Sequence, residues 1–372
     1  MDAELLDVTD VRDMDPQLWQ RMSVGRPSLR LEILQEHAAE PGCGVLIYSV
    51  ADPDGMLCAA VVETQDGAKS AARLQSMLFG RAKKLAGAMG ICGRRYLCIA
   101  SPVGQYSGIV VRDMSEPERR AALGRLLDGL ESLARRTRKG LLFPAVPTQE
   151  QPLHDMLCER GYLHGMAPSG TLLPIEWRSF EEYCAILTRR SRRLGGILRS
   201  ERRRGREGGV VIRRVTPTAE LGDAMYRLAT EHYRYKNDED LSFSVGYLMR
   251  LLPRLGDNVL VFEAERNGKR CAMVGIAISG TVGWVTFLGV DVADRPNDFT
   301  YFNIVYYTLA DHAAARGLTA VLLGNGAYDS KLRRGCQLVP MQFFCRPASL
   351  WRRGLLSMFF VLHRLWVARK LQ

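Results

Sequence analysis

No Cys-x-x-Cys pair occurs among the nine cysteines of this chain, and no His-Glu-x-x-His among its six histidines. Zinc sites and dithiol redox centres need such spacings because their ligands must converge from one turn or one helix face. The cysteines therefore read as reduced, mostly structural thiols, and no metal site and no prosthetic group are expected. Nowhere do eighteen apolar residues run uninterrupted. The start, MDAELLDVTDVRDMD, is acidic where a secretory signal needs a basic patch followed by an apolar core. Both absences point to a cytoplasmic chain.

Positive charge is present but segregated. Between Arg189 and Arg214 eleven arginines meet only two glutamates, Glu201 and Glu207, in a chain of net charge +11. The C-terminal stretch adds Arg346, Arg352, Arg353, Arg364, Arg369 and Lys370 without a single acid. Such local patches attract nucleic-acid phosphates, an anionic membrane surface or the phosphates of a cosubstrate. Arg189, Arg190, Arg192, Arg193, Arg199, Arg202, Arg203, Arg204 and Arg206 are the candidate phosphate contacts. The plainer alternative is a solvated arginine-rich helix face, although the run holds too few glutamates to neutralise itself by i,i+4 pairing.

The 372 residues exceed what one hydrophobic core usually organises, so two domains are expected. Ser115-Glu116-Pro117-Glu118 is a capping box that opens an amphipathic helix ending near Lys139-Gly140. A strand at Leu141–Ala145, a helix at Gln149–Arg160 and a short strand at Thr171–Ile175 follow. A second capping box, Ser179-Phe180-Glu181-Glu182, starts a helix carrying most of the arginines to Gly205. Beyond it the pattern predicts helices over Leu221–Tyr235 and Val245–Leu255, then strands at Asn258–Glu265 and Cys271–Ser279 joined by Asn267-Gly268. A strand at Trp284–Val290, a helix at Tyr301–Arg316 and a strand at Thr319–Leu323 complete that half. The first half repeats this order, with a helix near Leu29–His37, strands at Gly44–Val50 and Leu57–Glu63, a helix at Ala68–Ala88 and a strand at Arg95–Ser101. The expectation is a mixed α/β chain of residues 1–178 and 216–372 as two copies of one fold, joined by an arginine-rich helix over 179–215.

That order of elements is similar to the acyltransferase fold of the GNAT superfamily, in tandem. The second half adds FLGVD at Phe287–Asp291, YFNIVYYTLADHAAARGL at Tyr301–Leu318 and LLGNGAYDSKLRRGC at Leu322–Cys336. With the FEEYCAIL segment and arginine run at Phe180–Arg206, it resembles the FemABX-like tandem-GNAT proteins, over most of the chain. The resemblance implies an N-acyltransferase that moves an acyl group onto a small-molecule or peptide amine, from aminoacyl-tRNA in some relatives and from other acyl donors in others. The matching Gly-x-Gly-x-Tyr-x-x-Lys segment places Lys331 at the reacting carbonyl, where a cation or a pair of backbone N–H groups lowers the barrier most. Asn325 offers a neutral donor beside it. Gly324 and Gly326, with Arg333 and Arg334 close behind, are the candidate donor-binding residues. The alternative is that these glycines form an ordinary turn and Lys331 is a surface lysine.

The attacking amine must lose a proton, and Asp291, Glu231, His232 and Tyr328 are candidate acceptors that the sequence does not rank. Acyl-CoA enzymes of this superfamily carry Gln/Arg-x-x-Gly-x-Gly/Ala, whose N–H groups cradle a pyrophosphate. The nearest match here, Gln105-Tyr106-Ser107-Gly108-Ile109-Val110, ends on a valine that would crowd a phosphate. Aminoacyl-tRNA is favoured over acyl-CoA, with tRNA as the partner of the arginine run and Arg295 as a second residue that CoA would protect. A non-enzymatic nucleic-acid or membrane-binding protein on the same scaffold is the competing class. The segment after Trp351 sets Arg352, Arg353, His363, Arg364 and Lys370 opposite Leu355, Met358, Leu362 and Trp366. It is either a peripheral membrane contact or a helix docked on the second domain. Oligomeric state is left open.

Overall fold

The computed structural model describes residues 6–63, 95–104, 106–237, 240–241, 243–293, 299–349, 351, 353–354 and 356–357. The helix expected at Ala68–Ala88, Gln105, Arg295 and most of the C-terminal basic segment lie outside them. The chain divides into two compact units, one of Met1–Ser23, His37–Ser169 and Val339–Gln372, the other of Val24–Glu36 and Gly170–Leu338.

In the first unit β1 (Asp7–Asp10) pairs with β2 (Val45–Asp52), which forms a hairpin with β3 (Gly55–Glu63). Helices α1 (Pro16–Met22) and α2 (Leu31–Ala38) fall between β1 and β2 in the chain. β3 pairs antiparallel with β4 (Tyr96–Ile99) and β5 (Ile109–Val111). β4 runs parallel to β6 (Gly140–Pro147), and β6 takes β13 (Gln337–Arg346), a strand from the far end of the chain, as an antiparallel neighbour. Helix α3 (Glu116–Thr137) starts at the capping box, with the Ser115 N–H donating to Glu118 Oε2 at 3.0 Å. Leu123, Leu126, Leu127, Leu130 and Ala134 recur at helical spacing and pack on Cys58, Val62, Ile99 and Phe143. Each buried leucine stabilises the unit by about 1.5–3 kcal/mol before chain entropy is counted. The helix ends on Arg138 in the left-handed region (φ 53°), not on Gly140. Gly140 instead lets β6 pass under Tyr96, since a Cβ there would meet the ring at 2.5 Å. Helix α4 (Gln151–Glu159) closes this half.

β7 (Leu163–Pro174) is longer than the short strand expected, and Pro174, which lacks an N–H to donate, is its last residue. In the second unit β8 (Val210–Val215), β9 (Val259–Arg266), β10 (Lys269–Ser279) and β11 (Val282–Val290) form an antiparallel meander. Asn267 and Gly268, both at positive φ (50° and 74°), make the tight β9–β10 turn. β11 then pairs in parallel with β12 (Ala320–Leu322), which pairs antiparallel with the end of β7. Alternate residues of β9 and β10, among them Leu260, Phe262, Ala264, Ala272, Val274 and Ile276, share a core with α5 (Phe180–Arg190), α6 (Arg192–Glu207) and the segment after Thr300. The opposite face meets α7 (Ala219–Asn237) and α8 (Val245–Leu255); Gly275 touches Met225 and Gly289 lies under Leu228.

Two expected helices are interrupted. The arginine-rich helix breaks at Ser191, whose backbone is extended (φ −157°, ψ 126°), into α5 and α6. Gly195 lets α6 fold back onto α5, because a Cβ there would sit 2.0 Å from Thr188 Oγ1. The helix expected at Tyr301–Arg316 is α9 (Thr300–Phe302), a π-turn at Asn303–Tyr307, then α10 (Thr308–His312) and a 3-10 turn. The Asn303 side chain donates to the Phe299 and Glu201 carbonyls, and the Thr308 hydroxyl to the Asn303 carbonyl, so side chains bond backbone groups where the helical ladder is offset.

Candidate functional site

β11 and β12 are paired only over Val282–Trp284 and Ala320–Leu322. Past that point β11 continues to Val290 while the other chain turns away at Leu323, and a cleft of about 690 Å³ opens between them. Its strand-side wall holds Val285, Leu288 and Val290. Residues 285 and 288 are an odd number apart and would face opposite sides of a regular strand. The ladder shift that pairs Gly275 with Phe287 but Ile276 with Val285 leaves Thr286 as an extra residue, and this bulge turns both side chains to the same side. Phe299, Thr300, Tyr301, Phe302 and Val305 add a mostly apolar wall from α9 and the π-turn.

The third wall is the loop and short helix after β12. Asn325, Gly326, Ala327, Ser330 and Lys331 line it, Lys331 coming from α11 (Tyr328–Arg333). Gly324 (φ 70°), Gly326 (φ 76°) and Ala327 (φ 49°) are all left-handed, a conformation that costs alanine roughly 1–2 kcal/mol. Lys331 is only 4% exposed. Its ammonium donates to the carbonyls of Leu323 (2.8 Å), Gly324 (3.1 Å) and Asn325 (3.2 Å), and burial pulls its pKa down to about 8. Thr171 Oγ1, on β7, donates to the same Gly324 carbonyl at 2.6 Å, and the Leu323 N–H returns to the Thr171 carbonyl.

Of the sequence-predicted residues, the cleft brings together Lys331, Asn325, Gly326 and the base candidate His232, which comes from α7 beside Lys236. Asp291 closes the turn after β11, its carboxylate accepting from the Ala293 N–H at 2.8 Å. Arg334 points away from solvent. Its guanidinium meets Glu201 Oε2 at 2.6 Å, stacks 3.3 Å from the Phe302 ring centroid and donates to the Ser330 carbonyl. Tyr307 donates its hydroxyl to the same carboxylate. Arg333 is exposed, and Tyr328 and Gly324 are half-buried.

Of the nine candidate phosphate contacts, Arg189, Arg190, Arg192, Arg193, Arg199, Arg203, Arg204 and Arg206 are exposed. Arg199 pairs with Glu181 at 2.9 Å and Arg203 with Glu207 at 3.5 Å. Arg202 is drawn in by Asp311 and lies over the Phe180 ring, and Arg204 approaches Phe299 at the cleft wall. In the first unit the described part of the Gln105–Val110 segment, Tyr106–Val110, runs into strand β5. Gly108 is there because a Cβ would lie 2.7 Å from the Ala100 nitrogen, a packing reason for a glycine the motif would reserve for phosphate.

Sequence reasoning did not find Arg266 or Thr171. Arg266, 9% exposed, lines the cleft from the end of β9 and donates to Thr300 Oγ1 at 3.1 Å. A lone arginine before an Asn-Gly turn carries no signal of that placement, and Thr171 is one threonine in a strand.

A family model described as an acetyltransferase (GNAT) domain matches residues 190–332. No curated protein matches the chain in sequence. Among solved structures it is similar to FemX, with a TM-score of 0.59 and 12% identity over 91% of this chain and 96% of that one. It is similar also to L-PGS from Bacillus licheniformis, at 0.55 and 11% over 88% and 91% of the two chains. A C-terminal (DUF2156) domain assigned to a lysylphosphatidylglycerol synthetase of Agrobacterium fabrum superposes at 0.56 with 10% identity, over 91% and 93%. At these identities the likeness is one of fold, and the chain has a FemABX-like GNAT acyltransferase fold.

Proposed function

We propose that the protein is an acyltransferase that forms an amide in the cleft between β11 and β12, taking its acyl group from an aminoacyl-tRNA and passing it to a small-molecule or peptide amine. The observation that carries the reading is the opening of a parallel strand pair onto a wall built around Lys331, inside the segment that matches the GNAT domain. The acyl carbonyl sits at the Lys331 and Gly324–Gly326 end. Of the base candidates His232, which lines the cleft from α7, is the one we assign to take the amine proton.

The donor assignment rests on α6. Arg192, Arg199, Arg203 and Arg206 recur at seven, four and three residues, so they share one helix face over about 21 Å, long enough to follow several phosphates of an acceptor stem. Such contacts position a nucleic acid without reading its bases. The second reading, an acyl-CoA donor, is favoured by the acetyltransferase character of the matching family model. Among the described residues no helix is long and apolar enough to cross a membrane. A tRNA donor, if that reading holds, would put the reaction in the cytoplasm.

Filter retention separates the donors. Tighter retention of charged than of uncharged tRNA, weakening with salt, supports the tRNA reading. Retention of acetyl-CoA with no preference for charged tRNA overturns it in favour of the thioester.

A further inference from the structure

Cys43 follows His37 by two short turns that fold the chain back on the end of α2. The Glu40 N–H donates to the His37 carbonyl at 3.1 Å and the Cys43 N–H to the Glu40 carbonyl at 3.0 Å, with left-handed Gly42 (φ 74°) just before Cys43. The thiol thereby comes within hydrogen-bond reach of the His37 ring. Val45, the first residue of β2, pairs with Glu63, the last of β3, which sets the Glu63 carboxylate at the same edge. His37 is 3% exposed and Glu63 9%. His37 Nε2 lies 3.2 Å from Glu63 Oε1, and because a carboxylate only accepts, Nε2 carries the proton. Nδ1 is buried with no nitrogen or oxygen partner among the described residues, which leaves it to the Cys43 sulfur. A thiol, an imidazole and a carboxylate in that order are the parts of an activated nucleophile: the carboxylate fixes the tautomer and the imidazole takes the thiol proton. The last turn of α2, where His37 sits, favours the imidazolium so formed.

From this arrangement we infer that Cys43 is a modification site for small hydroperoxides, with His37 moving the proton and Glu63 as its positioning residue. The inference uses none of the residues assigned to amide formation and stands apart from that reading. The thiol gives its proton to His37 Nδ1, and the thiolate attacks one oxygen of hydrogen peroxide. The S–O bond forms, the O–O bond breaks, and its electron pair leaves with the second oxygen as hydroxide. The imidazolium returns the proton to that hydroxide, so water departs. Sulfur is oxidised by two electrons to a sulfenic acid, and the peroxide is reduced to water. The size of the reagent follows from access. Cys43 is half-buried, while Pro41 and Gly42 beside it are exposed, and a Cβ on Gly42 would meet no described neighbour within 4 Å. Other thiols are placed differently. Burial pushes Cys58 and Cys336 up to about 12 and Cys184 up to about 11, which keeps them protonated. Cys158 is half-buried like Cys43, but burial and the carboxylates of Asp155 and Glu159 push its thiol up, so it serves as an internal reference.

The test treats the full chain at neutral pH with hydrogen peroxide and dimedone, which traps sulfenic acid, and follows the Cys43 and Cys158 peptides by mass spectrometry. An unassisted thiol is only a few per cent thiolate near neutral pH, so Cys43 is expected to be labelled at least about tenfold faster than Cys158. In urea the two rates come together. Equal rates in the folded chain overturn the inference, and so does a difference that survives unfolding. His37→Gln and Glu63→Gln are each expected to bring Cys43 to within about threefold of Cys158, and Glu63→Asp to restore most of the difference. A folded His37→Gln that labels as fast as wild type overturns the inference, and an unchanged Glu63→Gln removes Glu63 from it. Alkylation by iodoacetamide, whose departing iodide needs no proton, separates the two tasks of His37. Its rate should fall less in His37→Gln than the peroxide rate does, and equal falls overturn the proton return to hydroxide. Where a variant does not fold, the wild-type comparison with its urea control decides.

Discussion

Replacing Glu201 by glutamine isolates the cost of a buried charge. Glu201 is 9% exposed and Arg334 5%. The carboxylate receives the Arg334 guanidinium at 2.6 Å and the Tyr307 hydroxyl, while Arg334 donates also to Tyr307 Oη at 3.3 Å. Glutamine keeps the shape but leaves the guanidinium charge under Phe302 and Tyr306 with a neutral partner. Breaking one side of such a pair costs about 3–5 kcal/mol. For a unit of roughly 150–250 residues each kcal/mol moves the midpoint by about 2–4 °C, so a fall on the order of 10 °C is expected. Differential scanning calorimetry reads it, with Glu201→Leu/Arg334→Met as the second arm. The double variant removes both charges and should lose less than Glu201→Gln alone. A single variant within about 1 kcal/mol of wild type, or a double variant that loses as much as Glu201→Gln or more, would falsify the account of this network as a desolvated pair.

Lys331 ties stability to pH. Its folded pKa, drawn by burial from 10.5 to about 8, lies below the unfolded value, so the unfolded chain holds the extra proton between those limits and wild type gains stability as pH rises through them. Denaturant midpoints at pH 7 and 10 should show wild type gaining up to about 3 kcal/mol relative to Lys331→Met; parallel behaviour would remove the effect. In the first unit His37 behaves oppositely. Burial alone would lower its pKa, but the hydrogen bonds it donates to Cys43 and Glu63 raise it to about 9, so its stabilising contribution is complete below about 6.5 and lost as pH rises through 9. Glu63→Gln should bring the His37 titration midpoint down in a proton NMR titration, and an unmoved midpoint would dismiss Glu63 as the cause. Changing Arg192, Arg199, Arg203 and Arg206 together to glutamine should flatten the salt dependence of tRNA retention by a slope of about 3, with Lys331→Met leaving that slope unchanged. Equal slopes would mean the row does not hold phosphates.

Elements whose cause is local are legible in the sequence. The Ser115 capping box, the Asn267-Gly268 turn and the apolar period of Val245–Leu255 each act within a few residues, and each stands within two residues of the position its pattern predicts. Elements decided at long range are not legible in this way. Strand β13 exists because β6 offers it a partner nearly two hundred residues earlier in the chain, and no pattern within Gln337–Arg346 announces that pairing. The break at Ser191 likewise depends on α6 folding back against Cys184 and Thr188, which turns a continuous helical pattern into two helices. Asn303 shows the same limit at single-residue scale. Its side chain supports a π-turn by reaching Phe299 and by filling the space that Gly205 leaves open, and only the second contact, from another helix, distinguishes it from an ordinary helical asparagine.

The site divides along the same line. Lys331, Asn325 and Gly326 stand out in the sequence because a loop that must approach a substrate needs glycine, and a carbonyl needs a donor near it. What those residues do depends on where their hydrogen bonds go, and composition is silent on that. A lysine that the motif presents as a cation facing substrate has, in the fold, its three donors on three main-chain carbonyls. Arg334, a donor-binding residue by its place in the motif, is taken up by Glu201 and two aromatic faces. Both cases follow from one physical fact: a buried cation must satisfy its donors before it can serve a ligand. In this fold the charged side chains Lys331 and Arg334 hold the cleft's walls, Lys331 through the carbonyls of Leu323, Gly324 and Asn325 and Arg334 through the Ser330 carbonyl and the Phe302 ring.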